Sequence, residues 1–401
     1  MGSRILSIFG TRPEAIKMAP LVMRLEREAE VESVVCVTGQ HGSMLGQVLD
    51  LFGIKPHYDL AVMTANQTLN GLSARLLTSL DEVLAATGPD RVLVHGDTTT
   101  ASVAALAAFH RRIPVGHVEA GLRTGNLMQP WPEEMNRRVV DVMSDLMFAP
   151  TPRSKSNLEA EHLHGRIVVT GNTVIDALLA IAARLDGDAA LRAELDARVP
   201  PLDDALPVLL VTGHRRESFG DGFARICEAL NHLARSGKVQ IVYPVHLNPN
   251  VRGPVQATLG EVPHVHLIEP LDYLSFVRLM QRASIILTDS GGIQEEAPAL
   301  GKPVLVMRDV TERPEAVEAG TVQLVGTSRE GICDAVLACL ERLDDAPGPI
   351  PCNPYGDGLA SQRIVAALTG KPFADFPATL TDAADPPARR HASSFEFAGE
   401  A

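Results

Sequence analysis

Three carboxylates in the first third of the chain stand where acid–base chemistry is easiest to build. Asp97 closes the run RVLVHGD (91–97), Glu119 lies in PVGHVEA (114–120), and Glu133 opens a helical pattern in PWPEEMNRRVVDVM. Carboxylates massed in one cleft repel one another, which raises their pKa values and makes acid and base roles available near neutral pH. The same spacing admits a plainer reading. Glu133 and Arg137 are four residues apart, as are Glu134 and Arg138, so both pairs suit helix salt bridges worth ~0.3–0.5 kcal/mol. Asp97 or Thr98 equally suits a helix cap. On the functional reading one carboxylate faces the cleft with Arg137 beside it.

The second half carries the makings of an anion site. The run IILTD ends in Ser290-Gly291-Gly292, and a helical pattern opens at IQEEAPALG. Glycines let a backbone approach a ligand closely, and a helix N-terminus offers unpaired N–H groups and a positive dipole to a phosphate. Glu296, one turn further on, is placed to accept hydrogen bonds from a ribose diol. The competing reading is a β-to-α turn capped by Ser290. Arg12, Lys17, Arg215, Arg216 and Arg313 supply cations near predicted strand ends or loops, and a surface role competes for each of them.

These residues need elements to hold them, and the chain supplies an alternation of strands and helices. ILSIFG (5–10), VVCVTG (34–39), RVLVHGD (91–97), PVGHVEA (114–120), LMFAPT (146–151) and RIVVTG (166–171) are β-rich runs with helical patterns between them, among them Pro13–Ala29 and Met44–Leu51. The pattern restarts with VLLVTG (208–213), QIVYPVH (240–246), VHLIEP (265–270), IILTDSGG (285–292) and PVLVM (303–307). Continuous rather than alternating apolar runs predict strands buried on both faces, hence parallel sheets with crossover helices. The expected fold is α/β, two Rossmann-like doubly wound domains with the active site in the cleft between them. Polar residues just after a strand are the first candidates for a site in such sheets, because ligands bind outside the strands' carboxyl ends. The expected boundaries are 1–171 and 172–360, with a polar connection over 186–206 and a disordered tail over 373–401.

Other chemistries lack their signatures. No G-x-G-x-x-G follows the first strand, and Pro follows Gly-Lys at both 301–302 and 370–371, so neither a dinucleotide fingerprint nor a Walker A loop is present. His264 and His266 have no carboxylate cluster with them, and no metal or other cofactor is expected. The net charge of −13, from 36 Lys and Arg against 49 Asp and Glu, argues against nucleic acid or an anionic membrane as main partner. No segment approaches the ~20 apolar residues of a membrane helix. The opening MGSRILSIFGTRPEAIK is too polar for a signal peptide. Five scattered cysteines, never spaced C-x-x-C, suit unpaired thiols in a reducing compartment. The expected location is the cytoplasm.

Longer blocks carry a resemblance. FGTRPEAIKMAP (9–20), HGDTTT (95–100), GHVEAGLRT (116–124), TGHRRE (212–217), YPVHLNP (243–249), TDSGGIQEEAP (288–298) and TERPE (311–315) resemble the non-hydrolysing UDP-N-acetylglucosamine 2-epimerases, in order and over roughly residues 4–371. The resemblance implies a glycosyltransferase-B-like fold, with a C-terminal helix (about Ser361–Leu368, in a segment of about 361–372) crossing back to the first domain. It implies reversible epimerisation of UDP-GlcNAc to UDP-ManNAc by a homodimer, for cell-surface polysaccharide. UDP leaves C1 while C2 loses its proton, giving 2-acetamidoglucal, and then adds back. Cations and helix dipoles must stabilise departing diphosphate, acid–base groups must stand on both faces of the ring, and no nicotinamide is needed.

Carried over by resemblance, Asp97, Glu119, Glu133, Arg137 and His214 match the family's catalytic positions. Arg12, Lys17, Phe276, Ser290, Gly291, Gly292, Glu296 and Arg313 match its UDP-contacting positions, although Phe276 in LDYLSFVRLM equally suits a core stripe. Gln40, His41, Gln67 and His246 are what remains of a second, activating UDP-sugar site. Gly42 and Asn66 stand where some relatives have arginine, and Gly125–Gln129 lacks a common aromatic. The alternatives are an epimerase that hydrolyses the UDP-sugar, one acting on a modified diacetamido sugar, and a nucleotide-sugar binder without turnover.

Overall fold

Short apolar runs bounded by turn residues form parallel strands, and the amphipathic stretches between them form helices. The computed structural model describes residues 2–40, 42–64, 67–213, 220–343 and 353–377. The chain divides into two compact units, Met1–Ala177 joined by the segment from Tyr355 on, and Leu178–Pro354.

Unit 1 contains β1 (Ser3–Phe9), α1 (Arg12–Glu26), β2 (Val31–Val37), α2 (Gly42–Phe52), β3 (Tyr58–Asp59), α3 (Leu69–Thr87), β4 (Arg91–His95) and α4 (Thr99–His110). It continues through β5 (Val115–Val118), α5 (Glu133–Met143), β6 (Leu146–Ala149), α6 (Pro152–Ala160), β7 (Arg166–Val169) and the start of α7 (Thr173–Gly187). All seven strands pair in parallel, in the order β3-β2-β1-β4-β5-β6-β7. In β1 the five successive residues Ile5 to Phe9 are buried, so helices cover both faces of the sheet, as the unbroken apolar run predicts.

Unit 2 contains α8 (Ala189–Asp196), β8 (Val208–Thr212), α9 (Asp221–Arg235), β9 (Gln240–Pro244), α10 (Pro249–Leu259), β10 (Val265–Ile268) and α11 (Tyr273–Arg282). It ends with β11 (Ile285–Thr288), α12 (Gly291–Ala299), β12 (Val304–Val306), α13 (Pro314–Glu318), β13 (Val322–Leu324) and α14 (Arg329–Leu343). Its six-stranded parallel sheet has the order β10-β9-β8-β11-β12-β13. Leu209, Ile241, Tyr243 and Leu287 of the sheet share one core with Phe223 and Leu230 of α9 and Val336 of α14.

Both sheets reverse their winding once, between β1 and β4 in unit 1 and between β8 and β11 in unit 2. At such a switch point the two flanking crossovers diverge to opposite faces, leaving a crevice at the carboxyl ends of the strands. Gly10–Arg12 and Gly96–Asp97 lie there in unit 1, and Gly213 and Asp289–Gly292 in unit 2.

Three expectations need correction. Residues 186–206 are no simple connection: α8 occupies 189–196, buries Leu195, and ties Asp196 to Arg278 at 2.7 and 2.9 Å. Its polarity is the solvent face of a short helix. The expected disordered tail begins too early, because 373–377 is packed on unit 1. The Phe376 N–H donates to the Val169 carbonyl at 2.8 Å, and its ring lies 5.5 Å beneath the Arg363 guanidinium. The rest of the expected tail lies outside the described residues. Most expected strands run one to three residues long at their carboxyl ends. Gly39, Gly96, Glu119 and Gly171 there take positive φ, which a strand does not tolerate. Among the described residues, no helix is long and apolar enough to cross a membrane.

Candidate active site

The loop after β1 is organised by a buried carboxylate. Thr11 caps α1, and Glu14 closes a capping box, accepting the N–H groups of Gly10 at 3.1 Å and Thr11 at 2.8 Å. The other Glu14 oxygen accepts the hydroxyl of Thr98, the cap of α4, at 2.8 Å. One carboxylate therefore locks the β1 and β4 turns together across the switch point. Burial pushes the Glu14 carboxyl up, against these hydrogen bonds, which pull it down. The same turn starts the helix that carries Arg12 and Lys17, both half-buried.

Glu119 stands at the end of β5 with φ at +69°, an unusual conformation for a residue with a side chain. Its Oε1 accepts hydrogen bonds from Lys17 Nζ and from Asn172 Nδ2, the latter at 2.9 Å. Its Oε2 lies against the Gly96 backbone, so close that a Cβ on Gly96 would sit 3.3 Å from it. Gly96, with φ at +62°, takes a conformation that favours glycine, and a Cβ there would crowd Glu119 Oε2 by a few tenths of an ångström.

The next residue, Asp97, is held from α5. Arg137 Nη2 donates to the Asp97 carboxylate, and Asn136 Nδ2 donates to its carbonyl at 2.9 Å. Arg137 also faces the fully buried Glu134, 3.5 Å away, whose oxygens accept the N–H groups of Thr124 and Gly125. Arg138 turns instead to Glu161. The helix salt bridges expected from the four-residue spacing are thus replaced by tertiary pairs, because Asp97 and Glu161 offer better-placed oxygens. Glu133, first residue of α5 and half-buried, stands one turn before Arg137 on the same helix side. Among the described residues its carboxylate makes no ion pair or hydrogen bond.

In unit 2, Ser290 precedes α12 without a side-chain cap bond, so the first N–H groups of that helix keep their need for an acceptor. A Cβ on Gly292 would meet only Glu296 Oε2 and Ser290 Oγ, at 3.9 and 4.0 Å. The chain's own packing leaves room there. Glu296 is buried and accepts the Tyr273 hydroxyl at 2.9 Å. Phe276, one turn along α11, is half-buried and stands outside the core stripe of Tyr273, Val277 and Met280. Arg313 Nε donates to the buried Glu295 carboxylate.

The comparisons with known proteins fit this arrangement. The sequence profile described as UDP-N-acetylglucosamine 2-epimerase matches residues 23–369. The chain belongs to the UDP-N-acetylglucosamine 2-epimerase family. It is 58% identical over 370 residues to a Ralstonia solanacearum protein named "Probable UDP-N-acetylglucosamine 2-epimerase", covering 91% of this chain and 98% of that one. It is 56% identical over 368 residues to the UDP-N-acetylglucosamine 2-epimerase of Escherichia coli K12, with the same two coverages. Among solved structures, that of the Neisseria meningitidis UDP-GlcNAc 2-epimerase bound to UDP-GlcNAc superposes with a TM-score of 0.83 at 49% identity. It covers 92% of this chain and 100% of that one. The fold is accordingly glycosyltransferase-B-like, two parallel α/β units.

Of the residues matched to the family's site, Lys17 and Glu119 touch, Arg137 touches Asp97, and Gly96 joins the two groups. His214, with Arg215 and Arg216, and His41 lie outside the described residues. Gln40 accepts the Thr100 hydroxyl at 3.0 Å, whereas Gln67 accepts from Arg75, a cation with no sequence motif to mark it. His246 is exposed in unit 2, its Nδ1 accepting the Asn248 N–H at 3.1 Å. Sequence reasoning also missed Asn136, Asn172, Tyr273 and Glu295. Asn172 carried a usable signal, since it follows the end of β7 much as Asp97 follows β4 and Glu119 follows β5.

Proposed function

We propose that this protein interconverts UDP-GlcNAc and UDP-ManNAc without hydrolysing them, by eliminating UDP to 2-acetamidoglucal and adding it back. The observation that carries the reading is the carboxylate pair at the unit 1 switch point. Glu119 is held by Lys17 and Asn172, and Asp97, one residue from the glycine it touches, is held by Arg137. Inverting C2 requires its hydrogen to leave on one face and return on the other, so acid–base groups must be fixed in position relative to each other. We assign that work to Asp97, Glu119 and Glu133, with Arg137 and His214 beside them. Recognition of UDP falls to Arg12 and Lys17, and in unit 2 to the uncapped start of α12 at Ser290–Gly292, to Glu296, Arg313 and the half-buried ring of Phe276. The backbone N–H groups and cations stabilise the diphosphate as it leaves. No step needs a cofactor. The four described cysteines, all buried free thiols, support work in the cytoplasm. The exposed apolar face of α5 supports a homodimer.

The test is proton NMR of the purified protein with UDP-GlcNAc in deuterium oxide. UDP-ManNAc bearing deuterium at C2 is the expected product, and Glu119→Gln should slow its appearance by at least ~10²-fold while UDP still binds. Free ManNAc and UDP would establish the hydrolysing alternative. Unchanged substrate with UDP bound would establish a different sugar or a binder.

A further inference from the structure

His95 ends β4 with 3% of its surface exposed, and among the described residues neither of its ring nitrogens has a hydrogen-bond partner. Its neighbour across the sheet shows the usual alternative. His117 is buried too, but its Nδ1 lies 2.6 Å from Asp141 and its Nε2 lies 2.8 Å from the Gly96 carbonyl, so that ring is pinned at both ends. Buried polar groups left without partners are rare enough to require an explanation. The His95 Nε2 lies 3.8 Å from Glu119 Oε2, too far for a hydrogen bond and within about 1 Å of one.

The two states of Glu119 differ in what they ask of that gap. Oε1 faces two donors, Lys17 Nζ and Asn172 Nδ2, which suit a carboxylate oxygen and oppose a proton placed on it. A proton taken up by Glu119 therefore belongs on Oε2, the oxygen nearer His95. Among the described residues, the titratable and charged groups facing the imidazole are Glu119, Lys17 and His117. Burial pushes the His95 imidazole down to about 3, so in the working range it is neutral and has an unprotonated nitrogen to offer as acceptor.

We propose that His95 is a positioning residue for Glu119, its neutral imidazole accepting the Oε2–H bond whenever Glu119 holds a proton. This rests on the acid–base reading of Glu119 above. In one direction Glu119 takes the C2 proton and releases it to solvent, and in the other it delivers a solvent-derived proton to C2, another carboxylate serving the opposite face; no proton passes to His95, and the imidazole gains only a hydrogen bond. Lys17 favours the charged form of Glu119 and His95 favours the neutral form, so the carboxyl can both take up a proton and release one.

The test reads Glu119 itself. The carbonyl infrared band of its protonated carboxyl, identified by its loss in Glu119→Gln, is titrated in wild type, His95→Phe and His95→Gln. Removing the acceptor in His95→Phe should move the midpoint to lower pH by about one unit or more and cut kcat at least ~10-fold with KM little changed. His95→Gln, whose amide oxygen can reach the place of Nε2, should restore both. If His95→Phe does not fold by circular dichroism, His95→Asn, too short to reach, takes its place with the same expectation. A Glu119 midpoint unchanged by loss of His95, or a loss of kcat that His95→Gln leaves in place, overturns the proposal and leaves the epimerase reading standing. Absence of C2 deuterium exchange in wild type overturns the epimerase reading, and the positioning role of His95 with it.

Discussion

Arg313 shows how a single contact changes the meaning of a substitution. Its guanidinium binds Glu295, which is 2% exposed. Removing one partner of a buried ion pair takes the counter-charge from the other, at a cost of ~3–5 kcal/mol. Arg313→Ala should therefore lower the melting temperature as well as weaken UDP binding. Arg313→Ala combined with Glu295→Gln should recover most of the stability and none of the affinity. Calorimetric titration with UDP beside thermal melts of both variants checks this, and a double variant that binds UDP as wild type removes Arg313 from the site. Asp97, Glu119 and Arg313 were visible in the sequence because each follows a strand or precedes a helix in the place where doubly wound sheets bind ligands. Glu295 and Tyr273 were not, because they act on other side chains through contacts 18 and 23 residues apart. Tertiary pairs of that kind have no local pattern to read.

The joint between α7 and α15 (Ala360–Thr369) makes an argument at the scale of elements. No side chain next to α15 in sequence caps it; Asp176 of α7 does so from 184 residues away, accepting the N–H groups of Ala360 at 3.1 Å and Ser361 at 2.7 Å. Burial pushes the Asp176 carboxyl from 3.8 to about 6 despite these bonds. The folded chain thus holds this proton more tightly than the unfolded chain. The group's contribution to stability falls as pH rises from about 4 to about 6 and is flat beyond. Asp176→Asn cannot ionise, so the stability of wild type relative to the variant should fall by about 2 kcal/mol between pH 4 and pH 7. Denaturant unfolding followed at the single tryptophan, Trp131 of unit 1, measures it; a difference that does not change with pH contradicts the assignment. The family resemblance implied α15 to within one residue at each end, yet the sequence reading missed the ordered segment after it. Phe373 and Phe376 look like tail residues until Arg166 and Arg363 are found against their rings. The short strands β3 and β13 escaped for a related reason, since two or three residues carry too little pattern to be told from a loop.

For the molecule as a whole, α5 sets the question of assembly. One side of this helix buries Asn136, Arg137, Val140 and Asp141 in unit 1, and the other exposes Met135, Val139 and Val142, with Val142 66% exposed. Met128 and Trp131 in the loop before it are 68% and 61% exposed. An apolar stripe at positions i, i+4 and i+7, continued by a tryptophan, is unusual on a free surface and ordinary on one that meets another chain. A second copy of this chain is the occupant that the homodimer reading supplies. Sedimentation should then show a dimer for wild type at micromolar concentration. The double variant Val139→Glu, Val142→Glu should sediment as a monomer with unchanged circular dichroism, because like charges would face each other across a symmetric contact. The same helix holds Arg137 against Asp97 and carries Glu133 at its first turn, so separating the copies should also lower kcat, with UDP binding through unit 2 less affected. A wild-type monomer that turns over at full rate would sever the link between the apolar face of α5 and the carboxylates on its other side.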